Sequence, residues 1–334
     1  MKGEAMAFWQ IAAGSIGRDY SNLFIRHGLA FVGGDLQCNV MGEVQPNDVV
    51  ILKRGMTEIV AVGQVVERDG RCRCINDKSW LRDFDGWDLP AWCNVDWRVP
   101  PNPVVTKGLT RATIQRVGAQ HLIELARNIL DNFPALKEYE PEPAATKTVT
   151  DDDLIGHLVQ FGLRPGAAED LTQAMRRIRL LARFYRERDW NLTKEHEARS
   201  FLVVPLLLAL GWAEQRIRIE LNVPGVGRAD IACFRNPVKT DDQYEDCVLL
   251  IETKGLMQGL DYAPEQAHRY AEKFPCCNVV LVTNGYCYKA YKRGNGNFSL
   301  HPSAYLNIIN PQDKYHIDTN VGGAIEILKM LIPR

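Results

Sequence analysis

Gly227-Arg228-Ala229-Asp230-Ile231-Ala232-Cys233-Phe234, followed by Val248-Leu249-Leu250-Ile251-Glu252-Thr253-Lys254-Gly255, are the two stretches that decide how this chain is read. Each is an apolar run interrupted by charge, the pattern of a buried strand with a polar end. Side chains alternate faces along a strand, so Glu252 and Lys254 project from one side, roughly 6–7 Å apart along it. If Asp230 lies on the neighbouring strand, two carboxylates and an ammonium meet. That cluster suits a divalent cation, Mg²⁺ or Mn²⁺, and the water it activates against a phosphodiester. A Glu-x-Lys triplet alone is equally an exposed strand end with a local ion pair, so the surrounding elements carry the argument.

Upstream, residues 195–212 place Ala198, Phe201, Leu202, Pro205, Leu206 and Ala209 at helical spacing. Thr193 is a candidate N-cap and Gly211 a stop, and Pro205 is expected to bend the helix. Glu197 lies one turn before Phe201 and is expected on the core-facing side, as a metal-site acid or as an acid favoured by the helix N-terminus. Ile217 to Val223 alternates apolar and polar, a half-buried strand. Pro264 opens a second helix, where Gln266 and Tyr270 share a face. Asn278 to Thr283 reads as a buried strand, Asn284-Gly285 as a hairpin turn, and Tyr286 to Lys292 as the return strand.

The order is helix, three strands, helix, two strands. With Glu-Ala, Pro-Leu-Leu and Leu-Gly-Trp in the first helix, Gly-Arg-Ala-Asp, Ile-Glu-Thr-Lys, Gln266-x-x-x-Tyr270 and Thr-Asn-Gly, residues 193–293 resemble the PD-(D/E)xK nuclease superfamily. The similar branch is the nuclease domain at the N-terminus of type I restriction R subunits. The resemblance implies an α/β fold with a central mixed sheet flanked by helices. It implies that Asp230, Glu252 and the Thr253 carbonyl hold Mg²⁺ (or Mn²⁺), with Glu197 completing the shell. It further implies that Lys254 polarises the attacking water and that Gln266 and Tyr270 position the scissile strand. Thr253 and Gly255 depart from the commonest residues beside the catalytic pair, and no helicase motor follows.

At 334 residues, 46% hydrophobic and 24% charged, the chain is an ordinary globular one for which two domains are the default. No apolar run reaches membrane-span length, and nine cysteines without zinc-like spacing read as reduced thiols in a cytoplasmic protein. Residues 133–152, rich in proline, acids and small polar residues, read as a linker between a domain at 1–132 and another at 153–334, the latter with a helical lead-in over 153–190.

The first domain reads mostly as β: a short strand at Phe8 to Ala13, then strands at Val49 to Lys53 and Ile59 to Glu67. Asn47-Asp48 before the second strand and Val62-Gly63-Gln64-Val65 in the third resemble the PUA-like domains of the EVE and YTH-related branch. Asn47 stands where that family usually has glycine, and asparagine tolerates the same left-handed backbone. The resemblance implies an α+β domain built on a β-barrel that reads nucleic acid by taking a base into an aromatic pocket. Of seven tryptophans, five lie here, with Trp80, Trp87, Trp92 and Trp97 inside 18 positions. Trp9, Trp80, Trp87 and Trp92 are therefore candidate pocket walls, or fillers of a small core. Asp85 and Asp88 are candidate acceptors for a base amine, or solvated loop acids.

A formal net charge of −1 leaves no global basic footprint, so contacts to a DNA backbone must be local. Arg176, Arg179, Arg183 and Arg186 fall on one helical face, opposite Met175, Ile178, Leu181 and Tyr185, as a phosphate-binding row or a solvated face. The joined expectation is a modification-dependent restriction endonuclease acting as a homodimer on double-stranded DNA with modified bases, without membrane association. One rival is a defence nuclease activated by a small nucleotide or partner bound to the first domain. The other is a nucleic-acid-binding protein with an inactive nuclease fold.

Overall fold

The computed structural model describes residues 6–14, 18–188, 193–240, 244–261 and 263–333. The limits of the two expected domains (1–5 and 334) and the end of the expected lead-in (189–190) lie outside the described residues. The chain divides into two compact units at 142/143, inside the segment expected as a linker.

The first unit runs β1 (Phe8–Ala12), α1 (Ser21–His27), β2 (Leu29–Val32), α2 (Asp35–Met41), β3 (Val49–Arg54), β4 (Glu58–Val65), β5 (Arg73–Ile75), β6 (Ala91–Arg98), β7 (Val104–Val105), β8 (Ile114–Arg116) and α3 (Gln120–Asn132). The sheet order is β2-β6-β4-β3-β1-β8, with β5 on β6 and β7 on β4. Among the described residues strands β2 and β8 remain unjoined edges, so in place of the expected barrel the sheet is a curled half-barrel. Only β1 and β3 run parallel among the paired strands of this sheet.

The turn into β3 is fixed by two residues. Asn47 adopts φ 72°, the left-handed conformation that asparagine tolerates. The buried Asp48 carboxylate accepts three hydrogen bonds, from the Ala7 amide (2.9 Å), Trp9 Nε1 (2.8 Å) and the Gln45 amide (2.9 Å). One acid thus ties the start of β1 to the turn before β3.

The expected linker is docked at both ends. The Leu136 amide donates to the Trp97 carbonyl, the Tyr139 hydroxyl accepts from the Trp97 amide, and Glu140 makes a bidentate pair with Arg26. In the second unit, the Lys147 amide donates to Asp313 and the Val149 amide to the Pro311 carbonyl. Composition flagged a segment without its own core. Its backbone groups find partners on whichever unit lies beside them.

The second unit contains α4 (Asp151–Gln160), α5 (Pro165–Glu187), α6 (Glu195–Ala198), a π turn (Arg199–Val203), α7 (Val204–Ala209), β9 (Ile217–Val223), β10 (Gly227–Phe234), β11 (Cys247–Thr253), α8 (Ala263–Ala271), β12 (Val279–Thr283), β13 (Cys287–Gly294), β14 (Asn297–Phe298), β15 (Ala304–Asn307) and α9 (Ala324–Leu331). The sheet order is β14-β13-β12-β11-β10-β9, with β15 on β13. It is mixed: β11 and β12 are parallel, joined through α8, and the other pairs are antiparallel. Among the described residues no helix is long and apolar enough to cross a membrane, and none of the nine cysteines is in a disulfide.

The helix expected to bend at Pro205 meets the problem with a π turn. Proline has no amide to donate, and the turn before it widens to i→i+5 bonding. The extra residue per turn shifts the apolar register. Leu202, Leu206 and Leu207 are buried, whereas Phe201, expected in the core, is 52% exposed.

The Asp48 hub makes a stability prediction. Asp48→Ala leaves the buried Trp9 Nε1 and two amides short of an acceptor and should destabilise the protein by about 2–3 kcal/mol, measured by urea unfolding followed through tryptophan fluorescence.

Candidate active site

Strands β10 and β11 pair antiparallel, Ile231 opposite Ile251, and the ladder stops there. Beyond that point the Asp230 side chain replaces the ladder: its Oδ2 accepts from both the backbone amide and Oγ1 of Thr253, each at 2.7 Å. Asp230 is therefore held against the end of β11, where Glu252 and Lys254 emerge. Lys254 Nζ donates to Glu252 Oε1 at 2.6 Å and to Gln266 Oε1 at 3.3 Å, and Gln266 Nε2 donates to the Tyr270 hydroxyl at 3.3 Å. Asp230 with Thr253, and Glu252 with Lys254, Gln266 and Tyr270, thus form two hydrogen-bonded groups side by side at the end of β11. Gly227 has φ 142°, and a Cβ there would lie 2.9 Å from the Tyr270 hydroxyl, so this glycine lets the strand pass under the ring.

Glu252 is 2% exposed. Burial pushes its carboxyl up to about 7; the Lys254 hydrogen bond opposes the shift, and the nearby Asp230 and Glu195 carboxylates add to it. Its Oε2 is buried without a hydrogen-bond partner among the described residues. A vacant acceptor in an all-oxygen donor set fits a hard divalent cation. No group of three or more His, Cys, Asp or Glu able to hold a metal occurs among the described residues.

Glu197 does not join them. It accepts from the Lys194 amide at 2.8 Å as part of a capping box and lies 3.6 Å from the Arg188 guanidinium. One turn later Phe201 follows it outward. The acid that reaches the cluster electrostatically is Glu195, whose carboxyl is raised by burial and by Asp230 while Lys254 and Arg199 oppose the rise. A two-residue step on a helix turns a side chain about 200°, so a misjudged face exchanges Glu197 for Glu195. Arg199, which the sequence reading did not single out, is 7% exposed and donates to both Asp230 Oδ1 (2.9 Å) and Glu220 Oε1 (2.8 Å). Its signal was available: it lies four residues after Glu195, on the same helical face.

The arginine row of α5 is largely engaged within its own unit. Arg176 Nε donates to Asp151 Oδ2 at 2.5 Å, and Arg179 donates to the Ile308 carbonyl (2.9 Å) and to Asp151 (3.3 Å). Arg186 lies 5.3 Å from the Tyr286 ring centroid. Arg183 alone of the four is exposed without a partner among the described residues. Asp151 at the start of α4 thus engages two of the four arginines.

In the first unit, a cavity of about 140 Å³ is lined by Arg18, Tyr20, Phe31, Gln37 and Trp87. The Arg18 guanidinium sits 4.1 Å over the Trp87 ring, and Trp87 Nε1 is buried without an acceptor among the described residues. Trp92 is on a different cavity, of about 520 Å³, with its Nε1 on Asp77 (2.6 Å) and Lys78 over its ring. Trp9 and Trp80 line neither. Trp9 is spent on Asp48, and Trp80 packs among His27, Phe31 and Phe84. Asp85 is buried at φ 50° in the turn before Trp87, and Asp88 pairs with Arg82 on the surface. Arg18, Tyr20 and Gln37 went unmarked, since no motif quoted from the sequence reaches them.

A cavity of about 680 Å³ in the second unit opens beside Val248 and Leu249 at the other end of β11 and shares no residue with the acid–lysine cluster. Neither the known family models nor the curated proteins contain a match to this chain.

The buried Glu252 carboxyl has a sign-definite consequence. Its folded pKa, about 7, exceeds the ordinary 4.5, so the folded state binds more protons between these values. In metal-free protein, stability should therefore fall as pH rises from 4.5 to 7, by on the order of 3 kcal/mol from this group. Glu252→Gln should flatten that slope in urea melts across the range; a slope identical to the parent's contradicts the assignment.

Proposed function

We propose that the chain is a divalent-metal-dependent endonuclease whose first unit selects DNA carrying a modified base. The observation that carries the catalytic half is the convergence of Asp230 from β10, Glu252 and Lys254 at the end of β11, and Gln266 and Tyr270 on α8. The spacing of these residues is that of the PD-(D/E)xK nucleases, and the mixed sheet with a parallel β11–β12 pair supports the likeness.

Asp230, Glu252 and the Thr253 carbonyl would hold Mg²⁺ or Mn²⁺, which would supply Lewis acidity and an activated water. Lys254 places its ammonium beside Glu252, where it stabilises negative charge developing on the attacked phosphate. Gln266 fixes the Lys254 ammonium from the α8 side, and Tyr270 fixes Gln266. The two side chains also offer hydrogen bonds to the scissile strand. Water attacks phosphorus and gives up a proton, the bond to the leaving sugar oxygen breaks, and that oxygen takes up a proton, leaving a phosphomonoester and a hydroxyl. Cutting both strands requires two such clusters, so two copies act together on one duplex.

The selective half rests on the cavity under Trp87. Its volume, about 140 Å³, suits a single flat ring, with an aromatic wall to stack on and the Arg18 and Gln37 side chains to test the edge. Phosphates are identical in every sequence, so discrimination rests on contacts to the base, which such a pocket supplies.

The test is cleavage of matched duplexes carrying cytosine, 5-methylcytosine, 5-hydroxymethylcytosine, its glucosylated form or N6-methyladenine, with Mg²⁺ and then Mn²⁺. One modified duplex should be cut and the unmodified one spared. Lys254→Ala and Asp230→Ala should each lower the rate by orders of magnitude with the circular dichroism spectrum unchanged. Full activity in both variants removes the nuclease reading. Trp87→Ala should weaken binding of the preferred duplex by about 1–3 kcal/mol, if the ring stacks on a base as aromatic platforms do. The salt dependence of binding should stay the same, because no phosphate contact is lost. Unselective cutting by the intact protein removes the reader half and leaves the nuclease.

A further inference from the structure

Asp230 and Glu220 face each other across the β9–β10 ladder, between the pairs Ala229 with Leu221 and Ile231 with Ile219. Two carboxylates directly opposite on one sheet face repel. Glu220 has φ 55°, a left-handed backbone that few residues other than glycine adopt, and no ladder pair is formed at this position. Between the two acids lies Arg199, from the first residue of the π turn. One of its terminal nitrogens donates to Asp230 Oδ1 and the other to Glu220 Oε1. Glu220 Oε2 accepts from Arg228 at 3.1 Å. Asp230 Oδ2 is committed to Thr253 twice over. The remaining oxygen of the candidate metal ligand, Oδ1, is the one that Arg199 holds.

We propose that Arg199 is the positioning residue of the Asp230 carboxylate and an internal counter-cation, which yields Oδ1 to a divalent ion and is then retained by Glu220. This inference rests on the nuclease reading of the same cluster. In the resting site the Arg199 guanidinium occupies Asp230 Oδ1. An arriving metal competes with it for one oxygen. Glu220, 45% exposed in its side chain, already shares the guanidinium and keeps it beside the site rather than in solvent. The fork geometry is what permits the sharing: two separate N–H pairs reach two carboxylates at once, which a single ammonium does less well.

The experiment measures Mn²⁺ binding to the full chain by electron paramagnetic resonance, without DNA, in four proteins: parent, Arg199→Gln, Glu220→Gln and the double variant. Arg199→Gln should bind Mn²⁺ about tenfold more tightly, because a competing charge has gone. Glu220→Gln should bind about fivefold more weakly, because Arg199 then rests on Asp230 alone. In the double variant the Glu220 substitution should change affinity by less than about twofold, since its effect passes through Arg199, whereas independent charge effects would add. Arg199→Lys keeps the charge and provides a second variant should Arg199→Gln fold poorly; it should bind Mn²⁺ more tightly than the parent. Additive effects, or Mn²⁺ affinity unchanged or lowered in Arg199→Gln and Arg199→Lys, overturn the role of Arg199. Asp230→Ala separates the two layers: Mn²⁺ binding that survives it overturns the metal site and this proposal together, while binding lost in it leaves the site standing whatever Arg199 does.

Discussion

The carboxylate of Asp230 is the constraint from which the rest of the second unit's site follows. It accepts the amide and hydroxyl of Thr253, two donors at the point where the β10–β11 ladder runs out. A strand end left alone would expose those groups to water. Clamped by Asp230, it fixes the directions in which Glu252 and Lys254 leave the sheet. Glu252 is thereby held in a nearly dry place, which is why its carboxyl rises to about 7 and why Lys254 closes on it at 2.6 Å. Burial, charge and hydrogen bonding are all consequences of one side chain standing in for a missing ladder bond.

The helix over the sheet adds the opposing charge, and its geometry depends on Pro205. Without an amide at that position, the chain adopts a π turn from Arg199 to Val203. The turn begins with Arg199, whose guanidinium faces Asp230, while Glu195 one turn earlier feels the same cluster. A proline that looks like a defect in the helix thus coincides with the turn from which the cation enters the site. Gly285, at φ 96°, completes the packing: a Cβ there would meet Leu202 at 2.7 Å. The Asn-Gly turn after β12 accordingly does more than reverse the chain.

The first unit obeys the same logic with another acid. Asp48 draws an amide, an indole and a second amide onto one carboxylate, and the half-barrel is organised around that hub. A small sheet with open edges has few large apolar residues to spare, so most of its tryptophans fill its interior. Trp9, Trp80 and Trp97 do so, leaving Trp87 and Trp92 on cavity walls.

The sequence by itself determined the strand order through residues 217–292, the pairing of Glu252 with Lys254, and the left-handed turn at Asn47. These are local properties: period-two alternation, a strand-end charge, and a backbone conformation that few residue types accept. It also marked the join between the units by composition, though not that the joining segment docks. What the tertiary structure alone decided was which face of a helix met the site. Glu195 and Arg199 face the cluster where Glu197 was expected, because a π turn separates these residues from the apolar positions on which the face was judged. It likewise decided that Asp151 ties up Arg176 and Arg179, and that Arg18 and Trp87 wall one cavity while Trp92 stands on another. Those outcomes depend on residues distant in sequence competing for the same charge or space, and competition of that kind is settled only when the chain has folded.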